Sequence, residues 1–189
     1  MRGSRRQGGF TLSELLITVA IIGVLAVIGY SLLKSAPRPI DVASQVSSKL
    51  AETSRKAVTY GPVRGEVAAA LGSTARTRAV FTLTSTGARI SVQRLQEDLA
   101  PATTATWIEM SSAALNKAVL LSGYTTSANL TAGGAPAVPT TAGSTFEIHC
   151  FPDGTCDGTT IYLQSTNARR KAKVAVLPLG GTPMTFDVW

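Results

Sequence analysis

Glu14 is the residue whose position most clearly implies chemistry. Residues 10 to 33 form an almost wholly apolar run, and Glu14 is the one charged residue within it. A carboxylate inside an apolar bundle or a bilayer is tolerated only when a cation meets it. Ion pairing is therefore the chemistry that Glu14 is placed to perform.

The other reactive side chains do not form a catalytic or metal-binding pattern. The single histidine, His149, has no nucleophile or carboxylate in an obvious position to orient it. Neither a phosphate-binding glycine loop followed by lysine nor a zinc-protease helix motif occurs. Two cysteines are too few for structural zinc, and Asp153 and Asp157 alone do not make a calcium site. We therefore expect no enzyme activity, no cofactor and no metal.

The apolar run is the first element that must position Glu14. From residue 15 to residue 33 it is uncharged, and as a helix it is roughly 28 Å long, close to the thickness of a bilayer core. Arg2, Arg5 and Arg6 precede it and favour a cytoplasmic N-terminus. A secretory signal has a shorter apolar core, and a plain membrane anchor leaves Glu14 unexplained.

The rest of the chain predicts a second helix and then strands. Pro37 and Pro39 disfavour a continuous helix, so we expect a break there. An amphipathic helix follows, with Asp41 near its start and Gly61-Pro62 as its stop. Alternating apolar residues then predict strands at residues 79–83, 88–92, 146–150, 160–164, 171–177 and 184–188.

Two further segments have a less regular pattern. A short helix is predicted from about residue 112 to residue 121, with Gly123 as its C-terminal stop. Residues 125 to 145 are of low complexity, and a loop of this length in a compact domain is usually functional or mobile. Trp107 and Trp189 are expected to pack in the core or at the ends of a sheet.

The N-terminal motif is similar to that of a known family. Gly9-Phe10-Thr11-Leu12-Ser13-Glu14-Leu15-Leu16 resembles the N-terminus of type IV pilins and pseudopilins, with glycine, phenylalanine and then glutamate at the fifth mature position. The resemblance implies cleavage after Gly9 by the prepilin peptidase, N-methylation of Phe10 and assembly into a helical filament. It also implies that Glu14 pairs with the N-terminal amine of a neighbouring subunit.

The C-terminal region resembles the GspH/FimT-type domain. This family includes the H-type minor pseudopilins of type II secretion and the U- and T-type minor pilins of type IV pili. The resemblance rests on the turn Pro152-Asp153-Gly154, on Gly158 with the apolar strand after it, and on the basic and then valine-rich strand at residues 169–176. Residues 62 to 145 resemble no family.

The sequence and the resemblance together predict an α+β fold. A long N-terminal helix, with its first half in the membrane, packs on an antiparallel, mostly two-sheet β domain. The expected divisions are a cleaved leader (1–9), a transmembrane and filament-core helix (10–36), the amphipathic second half of the helix (37–61) and a periplasmic β-rich domain (62–189). The resemblance implies a minor pilin that primes pilus assembly near the tip. The alternatives are an H-type minor pseudopilin and a pilus-borne DNA-binding subunit.

The same resemblance implies a location and partners. The chain is expected in the inner membrane as a single-pass protein with a periplasmic C-terminal domain, and then in a pilus or pseudopilus. Its partners would be other minor pilins and the major pilin, or pseudopilins, together with the prepilin peptidase. Because the periplasm is oxidising, Cys150 and Cys156 are expected to form a disulfide.

A basic cluster near the C-terminus leaves two interpretations open. Its members are Arg169, Arg170, Lys171 and Lys173. One interpretation is a solvated hairpin whose edge lysines discourage aggregation between sheets. The other is contact with DNA phosphates, because some T-type relatives resemble DNA receptors. Four basic residues give only a modest salt-dependent contact, and the adjacent strand offers only Tyr162 for stacking.

Overall fold

The computed structural model describes residues 11–33, 37–71, 73–85, 87–97, 105–131, 133–180 and 182–187. The chain divides into two compact units, Met1–Ala36 and Pro37–Trp189. The first contains one helix, and the second contains helices and antiparallel sheets. The predicted α+β fold class is confirmed.

The first unit contains the helix α1, Leu12–Leu33. Its side chains are apolar around the whole circumference, and the large ones remain exposed, from 49% for Ile28 to 80% for Leu12. By length and composition, Leu12–Tyr30 is suited to cross a membrane. A helix that is apolar on all sides requires an apolar environment, which is either lipid or other helices.

The second unit begins with α2, Pro39–Tyr60. Pro39 occupies the first turn, where its missing N–H costs no hydrogen bond. The buried face recurs at three- and four-residue steps, as the sequence predicts, and includes Val46, Leu50 and Ala57. Gly61 ends the helix with φ +67°, and its N–H donates to the Ala57 carbonyl at 3.1 Å. A short helix, α3 (Gly65–Leu71), follows.

Two antiparallel sheets make up the rest of the second unit. The first sheet has the strand order β3-β2-β1-β6, and the second has the order β5-β4-β7-β8-β9. The strands are β1 Thr77–Thr84, β2 Gly87–Glu97, β3 Ala105–Ala114, β4 Val119–Thr125, β5 Val138–Pro139, β6 Thr145–Cys150, β7 Thr159–Ser165, β8 Lys171–Val176 and β9 Pro183–Phe186.

One hydrophobic core joins α2 to both sheets. The ring of Phe146 in β6 stacks on Phe81 in β1 at 4.6 Å, and on Tyr124 in β4 at 4.2 Å between ring centroids. Phe146 therefore connects the two sheets directly. Stacked aromatic pairs of this kind add about 0.5–1.5 kcal/mol beyond the area that they bury.

The predicted helix over residues 112–121 is wrong. Residues up to Ala114 belong to β3, which pairs along its length with β2, and β4 begins at Val119. Pairing with distant strands overrides the local helical pattern. Gly123 ends no helix; it follows an irregularity in β4, where an added Cβ would lie 2.5 Å from the Val138 carbonyl oxygen.

The low-complexity segment is largely irregular, as predicted, but it is held in place. We call residues 126–131 and 133–137 the covering loop. Asn129 N donates to Thr160 Oγ1 at 2.7 Å, and Thr160 Oγ1 donates to the Ser127 carbonyl at 3.0 Å. Thr160 and Tyr162 of β7 are fully buried. The covering loop therefore packs on the second sheet and shields side chains that a strand pattern would leave in water.

Candidate assembly and anchoring site

Thr11 and Glu14 form a reciprocal cap at the N-terminus of α1. The backbone N–H and the hydroxyl of Thr11 both donate to Glu14 Oε2 at 2.9 Å, and the Glu14 N–H lies 3.3 Å from Thr11 Oγ1. This arrangement is a capping box, which satisfies backbone donors that a helix start leaves free. Thr11 was not among the predicted site residues, although a threonine three residues before a glutamate is the signature of this motif.

The cap leaves part of the Glu14 carboxylate available. All of the side-chain bonds from Thr11 go to Oε2, and Oε1 accepts no hydrogen bond within the part of the chain that the structure describes. Glu14 can thus keep its local cap while Oε1 meets an external cation. Gly9 and Phe10, the predicted cleavage and methylation positions, lie outside the described residues.

In the second unit, Glu52 joins α2 to the first sheet. It accepts hydrogen bonds from Lys49 at 2.8 Å, from Lys56 at 2.7 Å and from Ser111 of β3 at 2.8 Å. Partial burial on its own raises the pKa of Glu52. The three hydrogen bonds together outweigh that effect and lower the pKa to about 2. The carboxylate therefore stays ionised and keeps the helix attached to the strand.

Glu52 should make folding sensitive to acid. A depressed pKa contributes stability above the ordinary value of 4.5, and this stability is lost as pH falls towards about 2. We expect Glu52→Gln to lower the free energy of unfolding by about 1–2 kcal/mol at pH 7, allowing for solvent screening, and to flatten its pH dependence. Urea unfolding of the full chain in detergent at pH 7 and pH 3 measures both effects.

Glu109 provides the matched control for Glu52. It pairs with Arg89 on the same sheet, but their side chains are 42% and 54% exposed, so Glu109→Gln should change the unfolding free energy by less than about 0.5 kcal/mol. Equal losses in the two variants would contradict the special role of Glu52.

Cys150 and Cys156 form a disulfide, as predicted. Both residues are buried. The turn between them contacts α2, where Ser54 Oγ donates to the Gly154 carbonyl at 3.2 Å. The disulfide thus fixes a short turn against the helix.

The disulfide should stabilise the second unit modestly. Closing so short a loop is worth about 2 kcal/mol in the chain-entropy account. We expect the double variant Cys150→Ser and Cys156→Ser to lose about this much stability and to exchange amide hydrogens faster at residues 151–155. Thiol labelling after non-reducing extraction provides the check: two reactive thiols in the wild-type protein would contradict the bond.

The expectation that no carboxylate orients His149 is wrong. Nδ1 lies 3.1 Å from Asp157 Oδ2, and Nε2 lies 3.4 Å from Glu147 Oε2. Glu147 also pairs with Arg78 at 2.6 Å, and the Arg78 guanidinium stacks on the ring of Trp107. The disulfide turn brings Asp157 back beside His149. Both ring nitrogens therefore face carboxylates, and His149 belongs to a polar network beside the first sheet.

The structure divides the basic cluster into exposed and buried members. Arg169 and Arg170 are exposed and Lys171 is half-buried, whereas Lys173 is fully buried. Lys173 Nζ donates to the carbonyls of Thr131 and Gly133 in the covering loop. Burial lowers the pKa of Lys173.

Two predictions about this cluster are therefore corrected. Lys173 cannot contact DNA, because the covering loop encloses it. The other interpretation is wrong in placing the lysines on a sheet edge, since β8 lies between β7 and β9. Its solvated hairpin agrees with the exposed Arg169 and Arg170. Neither the burial of Lys173 nor the interior position of β8 is visible in the sequence, because both depend on which other segments flank the strand.

A comparison with protein-family models identifies the type of N-terminal segment. Residues 4–30 match the model of the prokaryotic N-terminal methylation motif. The chain has the N-terminus of the type IV pilin and pseudopilin superfamily. The resemblance at residues 9–16 is confirmed. The matched region ends within α1 and includes no part of the second unit.

Two solved structures resemble the chain at low sequence identity. Two structures of the minor pseudopilin EpsH from the type 2 secretion system of Vibrio cholerae align with a TM-score of 0.49 and 12% identity. The alignments cover 80% of this chain and 98% or 94% of the other. No curated protein matches the chain.

Proposed function

We propose that the chain is a minor pilin of a type IV pilus, a structural subunit that primes filament assembly and sits near the tip. The observation that carries the proposal is the N-terminal methylation motif on a helix that is exposed, apolar on all sides and capped through one oxygen of Glu14. Such a helix needs lipid before assembly and other helices after it.

In this proposal each part of the chain has a role. Residues 1–9 are the leader, and residues 10–36 form the membrane and filament-core segment. Residues 37–61 and 62–189 form the periplasmic part, carried by the inner membrane until assembly. Cleavage after Gly9 creates the amine of Phe10. In the filament, that amine meets the Glu14 carboxylate of a neighbouring subunit, because a carboxylate among apolar helices needs a cation.

Two alternative functions would use the same N-terminal helix in a different assembly or for a different purpose. An H-type minor pseudopilin of type II secretion would keep the same anchor and packing. A DNA-binding subunit is less well supported, because Lys173 is buried and only Arg169 and Arg170 of the cluster are exposed. Crosslinking in the membrane distinguishes the first two: pilin neighbours favour the pilus, and pseudopilin neighbours favour the secretion system.

Processing provides the direct test of the proposal. In cells that contain the prepilin peptidase, we expect a mature protein that begins at methylated Phe10, because Gly9 precedes it after a basic leader. Intact-mass spectrometry of the purified protein measures this N-terminus. Cells without the peptidase are the control and should retain Met1. A chain that starts at Met1 in peptidase-positive cells, or one cleaved after Tyr30, would refute the proposal.

A further inference from the structure

Basic turns gather at the end of the second unit where α2 begins. Gln45 in the first half of α2 donates to the Ala114 carbonyl at 3.5 Å, which places the end of β3 beside it. The Thr166 N–H donates to the Ala118 carbonyl at 3.2 Å. The turn between β3 and β4 and the turn between β7 and β8 are therefore adjacent. We call the surface formed by Lys117, Arg169 and Arg170 the basic end.

The turn that carries the two arginines is held rigidly. Ala168 has φ +54°, a conformation that a residue with a side chain adopts only when its surroundings impose it. Its N–H donates to the Ser165 carbonyl at 2.8 Å, and the Arg170 N–H lies 3.1 Å from Ser165 Oγ. Asn167 Oδ1 accepts from the Arg169 N–H at 3.2 Å. These bonds hold the backbone of Arg169 and Arg170 in place and leave their side chains exposed.

The charges at the basic end are not neutralised internally. Lys117, Arg169 and Arg170 are exposed, and among the described residues none of the three forms an ion pair. Within the described part of the chain, the acidic residues nearest in these elements are Asp41, which accepts from the Arg38 N–H at 3.1 Å, and Asp187, which follows β9. Two arginines so close in the chain suit an oxyanion, because a guanidinium binds phosphate through two parallel hydrogen bonds.

The connection between α1 and α2 is short. Five residues separate the last residue of α1, Leu33, from Pro39, and even when fully extended they bridge only about 20 Å. A bilayer that holds α1 would therefore keep the start of α2 tethered close to its surface. Leu120, 44% exposed in β4, lines the same cavity as Lys117 and adds an apolar side chain there.

We propose that the basic end binds the phosphates of anionic phospholipid headgroups in the bilayer that holds α1. The inference rests on the proposed membrane anchoring of the chain. The observations favour lipid over nucleic acid, because single-stranded nucleic acid needs aromatic rings for stacking and Tyr162, in the strand before this turn, is fully buried. The contact would hold the second unit against the membrane before assembly.

Hydrogen exchange on the full chain in nanodiscs tests the inference. One set of discs contains phosphatidylcholine alone, and the other contains 30% phosphatidylglycerol (about one lipid in three, enough to give an anionic surface). Resistance of the disc-bound protein to alkaline extraction reports anchoring separately. We expect the anionic lipid to slow exchange at residues 165–170 by about fivefold for each arginine that contacts the surface. Sodium chloride at about 1 M should abolish the protection, because it screens charges beyond about 3 Å.

Variants and a competing ligand complete the design. Arg169→Gln with Arg170→Gln should remove the protection, whereas Arg55→Gln, which changes an exposed arginine in the second half of α2, should retain it. Anchoring in both discs without lipid-dependent protection would overturn this inference and leave the proposed function intact. Failure to anchor in either disc would overturn both. Equal protection by a DNA duplex added to phosphatidylcholine discs would overturn the choice of lipid.

Discussion

The Glu14→Ala protein should enter the membrane and fold its second unit, yet be excluded from the filament. The substitution removes a charge that is costly in lipid, so insertion should not suffer. In the filament it would leave a neighbour's N-terminal amine buried without a partner. Breaking a buried ion pair costs about 3–5 kcal/mol, which corresponds to a loss of incorporation of more than about 100-fold. Immunoblotting of sheared filaments against the membrane fraction measures it.

The capping box requires controls that separate the two roles of Glu14. Glu14→Gln keeps an oxygen that can accept from the Thr11 N–H and hydroxyl, but it removes the charge. Thr11→Ala removes the hydroxyl of the cap and keeps the charge, at a cost of about 1 kcal/mol in helix stability. If pairing between subunits is the essential role, Glu14→Gln is excluded from the filament and Thr11→Ala is incorporated.

Two results would contradict the pairing role. Wild-type incorporation of Glu14→Ala would show that the subunit does not need this contact. Incorporation of Glu14→Gln together with exclusion of Thr11→Ala would show that the cap, and not the charge, is essential. Cleavage after Gly9 should persist in all three variants, because the peptidase recognises the glycine junction. Loss of membrane insertion would indicate an anchoring defect instead.

The parts of the fold that the sequence predicted are those fixed by local periodicity. The buried face of α2 follows from the spacing of Val46, Leu50 and Ala57, and its end follows from Gly61. β6 alternates as predicted, with Phe146 and Ile148 buried. In these elements each residue's environment depends on its own helix or strand, so a pattern of period 3.6 or 2 is sufficient.

The predictions that failed depend on contacts between separate strands and turns. Residues 112–114 are strand because they pair with β2, about twenty residues earlier in the chain. His149 is oriented by Asp157 only because the disulfide turn reverses the chain between them. A pattern read along the chain does not contain such pairings.

The contacts of the covering loop are the largest feature that the sequence pattern did not predict. Its composition of glycine, alanine, proline and threonine predicts a loop, and it gives no indication of what the loop covers. The fit is nevertheless close. An added Cβ at Gly134 would lie 2.6 Å from Asn129 Nδ2 and 3.0 Å from the Tyr162 hydroxyl oxygen. Small residues let this segment approach the sheet, so its low complexity follows from the packing.

Lys173→Glu should be the most destabilising single substitution in the basic cluster. It would place a carboxylate against the carbonyl oxygens of Thr131 and Gly133, which now accept from Lys173 Nζ. An uncompensated buried charge costs about 3–5 kcal/mol, a large fraction of the stability of a typical domain. We therefore expect little folded protein, measured as soluble yield and by near-UV circular dichroism of the full chain in detergent.

Two further variants test whether Lys173 is structural. Arg170→Glu reverses an exposed charge three residues away and should change the free energy of unfolding by less than about 0.5 kcal/mol. Lys173→Met fills the same space without a charge. It should leave the sheets folded but release the covering loop, because the two carbonyls lose their donor and must turn to water. Faster hydrogen exchange confined to residues 127–134 would show that release. If Lys173→Glu folded as well as Arg170→Glu, the buried position would be refuted and Lys173 would return to the exposed basic cluster.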